Sequence, residues 1–174
     1  MRYGTTTASG VIIFAFLYFL GMYRSEYYTT VAHTTPSLVA RKAAGFVLPE
    51  ANGGQVDSES YHGRPMLLMF WTISNSECRR ELGLISQVAP DFRAKGIGVV
   101  AIHQGVAENL KDYLQTNHIA VTSLIDGDEE VSASYGVYEA HKLLLVGSDG
   151  KIKKVSDATL DESALRKWAD EAGS

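Results

Sequence analysis

LLMFWTISNSECRREL, residues 67–82, is the stretch of this chain that decides its fold. Its first five residues are apolar and follow the turn-forming HGRP of residues 62–65, a pattern typical of a buried strand. Asn75 then supplies a good helix N-cap, and apolar residues recur at three-to-four spacing over residues 76–92. The stretch therefore predicts a strand, a short loop and a helix, with Cys78 in the first turn of that helix.

The same alternation of apolar runs and helical periods continues toward the C-terminus. Apolar runs predict strands at residues 97–102, 120–125, 142–146 and 151–155, and helical spacing predicts helices at residues 106–117, 129–135 and 160–172. GSDG predicts a hairpin in which Asp149 and Gly150 form a primed turn. Thr159, followed three residues later by Glu162, predicts a capping box for the last helix. These elements predict an α/β fold with a central mixed sheet flanked by helices.

Composition limits the classes of function. The chain has 174 residues, of which 45% are hydrophobic and 21% charged, enough for one ordinary core with an appendage. Its formal net charge of -4 provides no basic field for nucleic acid, so no nucleic-acid partner is expected. The five histidines and the single cysteine lack the spacing of a structural zinc site or of covalent haem attachment. No cofactor is therefore expected.

The N-terminus predicts a membrane anchor. Residues 5–23, TTTASGVIIFAFLYFLGMY, are nineteen residues without a charge between Arg2 and Arg24, close to the ~20 that a helix needs to span a bilayer. The alternative is a cleaved signal peptide, since the most apolar part is short and a small-residue site lies near Ala32. That site is far beyond Tyr23 for signal peptidase, so we expect a single transmembrane helix that is retained.

The anchor divides the chain into three expected parts. Residues 1–23 are the transmembrane anchor, and residues 45–174 are the folded domain. Residues 24–44 mix polar, small and aromatic residues without an apolar period, which is typical of a linker lying along the membrane surface. Positive residues flank the anchor on both sides, so the charge bias alone does not fix its orientation.

Residues 45–172 resemble the membrane-anchored thioredoxin-like proteins of the cytochrome c maturation and thiol-specific antioxidant groups. GFVLPEANGGQV resembles the opening hairpin of that family, YHGRPMLLMFW its signature strand and LLLVGSDGKI its last hairpin, with CRREL and YGV in order between them. The resemblance implies a thioredoxin-like fold. It also implies a domain on the periplasmic side of a bacterial inner membrane, held there by the single span.

Most residues that would perform disulfide exchange in this family are replaced. In the FWATWCGPC pattern of the family the first cysteine is the nucleophile, and the matching residue here is Asn75, which cannot attack a disulfide. Cys78 matches the second, resolving cysteine. Met69 stands where thioredoxins carry a buried acid, and an apolar neighbour is expected to raise the pKa of the thiol. His141 stands where the family has a cis-proline opposite the active site.

Two active alternatives remain for Cys78. It matches a peroxidatic cysteine of the antioxidant group, although Asn75 takes the place of the threonine whose hydroxyl positions peroxide. Alternatively, Cys78 and His141 converge as a metal-binding or thiol-activating pair, since copper accepts thiolate and imidazole, but two ligands alone make a poor site. We expect instead a buried thiol and a loop histidine. The other central histidines, His62, His103 and His118, are expected at strand ends or in loops without a partner.

The expected function follows from the loss of the reactive groups. A domain that keeps its fold without nucleophile, acid or proline is expected to be redox-inactive. It would serve as an accessory or structural subunit of a larger membrane complex, such as a respiratory or photosynthetic electron-transfer complex. Other subunits and the lipid bilayer are its expected partners. The alternative is a single-cysteine thiol oxidoreductase or peroxidase that uses Cys78 with an external resolving thiol.

Overall fold

The computed structural model describes residues 38–106, 108–138 and 141–172. The strands are β1 Val47–Pro49, β2 Gln55–Asp57, β3 Met66–Trp71, β4 Gly98–Gln104, β5 Thr122–Asp126, β6 Lys142–Val146 and β7 Ile152–Ser156. The helices are α1 Ser76–Ala94, α2 Leu110–Thr116, α3 Glu130–Ser134 and α4 Glu162–Ala172, together with a short 3-10 helix at Ser58–Tyr61. The expected anchor lies outside the described residues, and among those described no helix has the length and apolarity to cross a bilayer.

Strand β3 lies at the centre of a five-stranded mixed sheet. The strand order is β5-β4-β3-β6-β7, with β4 parallel to β3 and β5, and with β6 antiparallel to β3 and β7. The mixed sheet predicted from the sequence is thus confirmed. β1 and β2 form a separate antiparallel hairpin, as expected from the resemblance. The carboxyl ends of β3, β4 and β5 meet at one end of the large sheet, which places the loop before α1 there.

The side chains of β3 alternate between two cores, because successive residues of a strand point to opposite faces. Met69 and Trp71 pack with residues of α1, α2 and α4, whereas Leu68 and Phe70 pack on the other face with residues of β1 and with Tyr135. All six residues of β3 are buried. The sequence expectation that Trp71 belongs to the core is confirmed, since its side chain has 0% exposure.

Both edges of the large sheet are partly covered by the chain itself. Residues 40–43 lie along the start of β7, where the Ala40 N–H donates to the Ile152 carbonyl at 2.7 Å. At the opposite edge, Glu50 forms an antiparallel bridge with Leu124 of β5. These contacts occupy edge groups that would otherwise face solvent. The division of the chain into anchor, linker and domain stays a prediction, but residues 40–43 of the expected linker contact the sheet.

The β6–β7 hairpin forms as expected, with a different turn. The Gly150 N–H donates to the Gly147 carbonyl at 2.9 Å, and Gly150 has a φ of 73°. Asp149 keeps a negative φ, and its carboxylate accepts from the Lys151 N–H at 3.1 Å. A primed turn requires positive φ at both central residues in its commonest form, so the expected primed turn at Asp149 and Gly150 is wrong. Only the glycine adopts the left-handed conformation.

The last helix begins with a different cap from the one expected. The Asp161 carboxylate accepts from the Ala164 N–H at 2.8 Å, so Asp161 caps α4. Glu162 bonds instead to the Arg166 guanidinium one turn later, with oxygen–nitrogen distances of 2.7 and 2.9 Å. The expected capping box of Thr159 and Glu162 is therefore wrong, because a salt bridge along the helix engages the glutamate.

The buried carboxylate of Asp126 holds the start of α3. Its Oδ2 accepts from the Ser132 N–H at 2.7 Å and from the Ser132 hydroxyl at 2.6 Å, and its Oδ1 accepts from the Val131 N–H at 3.4 Å. Asp126 has 0% exposure. Acidic side chains stabilise the positive N-terminus of a helix, and the Asp126 carboxylate does so at the start of α3.

Replacing this carboxylate should lower the stability of the domain. We expect Asp126→Ala to reduce the free energy of unfolding by about 3 kcal/mol, because it leaves buried donors of Ser132 without their charged acceptor. Urea unfolding followed by tryptophan fluorescence measures the change. Asp128→Ala is the matched control, because Asp128 is exposed and accepts only a 3.3 Å bond from the Glu130 N–H. Equal effects of the two substitutions would contradict the role given to Asp126.

Candidate functional site

Asn75 occupies the helix end at which the family places its attacking thiol. Its backbone is extended, with φ -90° and ψ 120°, and its Oδ1 accepts from the Glu77 N–H at 2.8 Å and from the Cys78 N–H at 3.2 Å. The predicted N-cap is confirmed. These are the amide groups that stabilise a thiolate when a cysteine stands at a helix start. Here they bind a neutral amide oxygen instead.

The Cys78 thiol is buried in the core. The residue has 0% exposure and packs in one cluster with Met69 and Trp71. Burial raises the pKa of the Cys78 thiol; a backbone hydrogen bond at Thr72 opposes this, and the negative charge of Glu81 adds to the rise. The expected upward shift is confirmed. Because the thiolate is the nucleophilic form, this environment makes Cys78 a poor nucleophile.

His103 holds the loop between β3 and α1, a role that sequence reasoning missed when it expected no partner. Its Nε2 accepts from the Ile73 N–H at 3.1 Å, so the proton sits on Nδ1, which faces the Gly105 carbonyl at 3.1 Å. Burial lowers the pKa of His103, which favours this neutral form. The Arg79 guanidinium donates to the Ile73 carbonyl at 2.6 Å, so both backbone groups of Ile73 are held by side chains.

Glu81 and His141 form a buried ion pair beside the thiol. Glu81 Oε2 contacts His141 Nε2, and the two side chains are 1% and 12% exposed. Glu81 Oε1 accepts from the Leu160 N–H at 2.7 Å, and His141 Nδ1 lies 3.3 Å from the Asp157 carbonyl. A single carboxylate thus joins α1 to the start of β6 and to the segment that precedes α4.

Sequence reasoning also missed Glu81. Glu81 is buried, whereas Arg80, one residue earlier in the same helix, is exposed. A signal was available in the sequence. Cys78, Glu81 and Leu82 are spaced by three and four residues, so they share one helix face, and a buried thiol implies a buried glutamate beside it.

The arrangement does not favour a metal at Cys78 and His141. Both ring nitrogens of His141 face other groups, the Glu81 carboxylate and the Asp157 carbonyl, so neither offers a lone pair to a metal in this arrangement. Within the described ranges, no group of three or more histidine, cysteine, aspartate or glutamate side chains could hold a metal ion. The metal alternative stays a prediction with little support from the geometry.

The ion pair makes stability depend on pH through His141. Its hydrogen bond with Glu81 raises the pKa of His141, partly opposed by burial and reinforced by the charge of Glu81 and by contacts with Asp157. A histidine whose pKa is higher in the folded than in the unfolded chain stabilises the fold when protonated. That stabilisation is complete below the unfolded pKa, and is lost as the pH rises through the folded pKa.

We therefore expect His141→Gln to cost more unfolding free energy at about pH 5.5 than at about pH 9. Urea unfolding of both proteins at the two pH values gives the comparison, in which the opposite contribution of His103 cancels because both proteins contain it. His62→Gln is the control, because His62 is exposed and in no ion pair of the described residues. A cost that does not change with pH would contradict the charged pair.

Known proteins with similar sequences and structures include thiol-disulfide oxidoreductases. The thiol-disulfide oxidoreductase ResA of Geobacillus thermodenitrificans is 24% identical over 76% of this chain and 76% of its own. A provisionally named thiol:disulfide interchange protein DsbE from Chlorobium tepidum superposes with a TM-score of 0.72, at 24% identity, over 78% of this chain and 98% of its own.

A further solved structure supports the same fold. A secreted Mycobacterium tuberculosis disulfide oxidoreductase, homologous to Escherichia coli DsbE, superposes with a TM-score of 0.66 at 22% identity, over 72% of this chain and 95% of its own. These likenesses establish the thioredoxin-like fold. The sequence profile of the AhpC/TSA family matches residues 39–155, about two thirds of the chain. The chain therefore belongs to the AhpC/TSA family of thioredoxin-like proteins.

Proposed function

We propose that this protein is a redox-inactive thioredoxin-like domain, anchored to a bacterial inner membrane by residues 5–23, with the domain on the periplasmic side. It acts as an accessory or structural subunit of a larger membrane complex, such as a respiratory or photosynthetic electron-transfer complex. The observation that carries the proposal is the Asn75 side chain. It occupies, as a helix cap, the place where the relatives' reaction needs a thiolate.

The chemistry of disulfide exchange supports inactivity. A thiolate that attacks a disulfide forms a mixed disulfide and releases one thiol, and a second thiol must then resolve the mixed disulfide. Reduction of one disulfide consumes two electrons, which the family draws from two thiols. This chain contains a single cysteine, whose thiol is buried and whose pKa is raised. Cys78 is therefore poorly suited to attack a disulfide, and the chain contains no second thiol that could resolve a mixed disulfide.

The contacts around the old site support a structural role. His103 and Arg79 hold the loop through Ile73, and Glu81 ties α1 to two other segments. Each contact holds a segment that borders the position of the family's reactive thiol. A domain that keeps its core while its site is locked is well suited to bind partners through its surface.

The relatives favour one alternative. ResA of Geobacillus thermodenitrificans carries the name of a thiol-disulfide oxidoreductase, so an enzyme with one thiol is the second candidate. In that case Cys78 would act as a thiol oxidoreductase or peroxidase, and a thiol from another protein would resolve its oxidised form. The secreted relative from Mycobacterium tuberculosis supports the assignment of the domain to the outer side of the membrane under either candidate.

A pair of substitutions decides between the two candidates. The wild-type chain should reduce neither a model disulfide nor hydrogen peroxide, with a thiol reductant present, at a rate above that of Cys78→Ser. Asn75→Cys is the positive control, because it restores two thiols three residues apart at a helix start. It should form an internal disulfide and gain disulfide reductase activity. Turnover by the wild-type chain that disappears in Cys78→Ser would overturn the inactive assignment.

A second experiment addresses the complex. Extraction of the native membrane with a mild detergent should yield this chain in a fixed ratio to other subunits, measured by native electrophoresis and mass spectrometry. Asp126→Ala should lower the amount recovered without changing that ratio, because it acts on stability alone. Recovery of the chain only as a monomer, under conditions that keep other membrane complexes intact, would contradict the accessory role.

A further inference from the structure

One end of the domain carries four exposed cations, of which Lys151 lies near the Asp149 carboxylate that pairs with Lys153. This end lies where β3 begins and β6 ends, opposite the candidate site. Lys42 and Lys151 are neighbours in an antiparallel bridge, and Arg41 and Arg64 belong to the same end of the fold. All four side chains are exposed, and no ion pair within the described ranges includes any of them. We call these four residues the basic end.

The opposite end of the domain is acidic. Asp128 and Glu129 are exposed in the loop after β5, and Glu130 is exposed at the start of α3. Asp157 is exposed after β7, where it pairs with Lys142 at 2.6 Å. The chain as a whole has a formal net charge of -4, so the basic end is a local feature and does not follow from composition. A domain with charges separated in this way turns one defined end toward an anionic surface.

A cavity opens beside Lys42 and Arg64 of the basic end. It has a volume of about 210 Å³, and Lys42, His62 and Arg64 line it together with small residues and two tyrosines. Glu59 is the one carboxylate among the described residues that line it. Near the cavity, Val39 is 45% exposed in the segment that leads into the domain. Exposed cations complement the negative charge of anionic lipid headgroups, and an exposed apolar side chain beside them complements the acyl chains below the headgroups.

We propose that the basic end docks the folded domain on an anionic lipid surface. Basic residues near a membrane are attracted by its negative surface potential, which acts only within a Debye length of the headgroups. In the proposed function the anchor keeps the domain within reach of the bilayer surface, because residues 24–37 span at most about 50 Å at ~3.5 Å per residue. The inference rests on that anchor, and it adds a contact made by the domain itself.

The test uses the full chain reconstituted in vesicles of phosphatidylcholine alone, or with about one quarter phosphatidylglycerol. A fluorophore is attached through Ser148→Cys, beside the cavity, or through Ser163→Cys on α4 as the matched control. The buried Cys78 leaves the introduced thiol as the reactive one. Quenching by lipids spin-labelled at the headgroup reports proximity to the surface. We expect the Ser148 label to be quenched about twofold more with phosphatidylglycerol present, and the Ser163 label to be unchanged.

Two further arms make the result decisive. About 1 M sodium chloride should abolish the difference, because it shortens the Debye length to ~3 Å. Lys42→Glu combined with Lys151→Glu should abolish it at low salt, with circular dichroism verifying the fold. Equal quenching of the Ser148 label in both lipids, or a difference that survives high salt, would overturn the proposal. Neither result bears on redox activity, so docking and the proposed inactivity fail separately.

Discussion

The carboxylate of Glu81 is the constraint on which the arrangement around the site depends. A buried charge is costly unless it is paired and hydrogen-bonded. Glu81 meets this requirement with the His141 imidazole and the Leu160 N–H, which come from two separate parts of the chain. The charge therefore imposes a geometry: α1, the start of β6 and the approach to α4 must converge. Removing the His141 imidazole would leave the carboxylate buried without the partner that can carry a positive charge.

Strong local patterns made much of the fold predictable from the sequence. The apolar run of β3 and the cap at Asn75 identified the strand, loop and helix, and the resemblance supplied the thioredoxin-like fold. The hydrogen-bond partner that a side chain selects among several nearby groups was not predictable. The Glu162 side chain bonds within its own helix rather than to a cap, and His103 finds its partner in a loop thirty residues earlier. Such pairings depend on tertiary geometry, which local spacing does not encode.

The site keeps the local structure of a thioredoxin-like active site with other side chains in it. Helix amides that stabilise a thiolate now bind the Asn75 amide, and the thiol that remains lies in the core. Both changes use the same local structure as the enzyme relatives. The loop and helix keep their geometry because their hydrogen bonds are satisfied, whichever group satisfies them. Replacement of the first cysteine and retention of the fold are therefore compatible within a few residues.

The covered edges of the sheet have a consequence for how this domain meets other proteins. An open edge strand offers a row of backbone groups to any extended segment, which leads to strand addition or to aggregation. Here residues 40–43 occupy the start of β7, and Glu50 bridges to Leu124 of β5. Recognition by sheet extension is thereby restricted at both sides. A protein that met a covered part of an edge would have to be recognised through side chains, whose sequence can evolve without disturbing the strands.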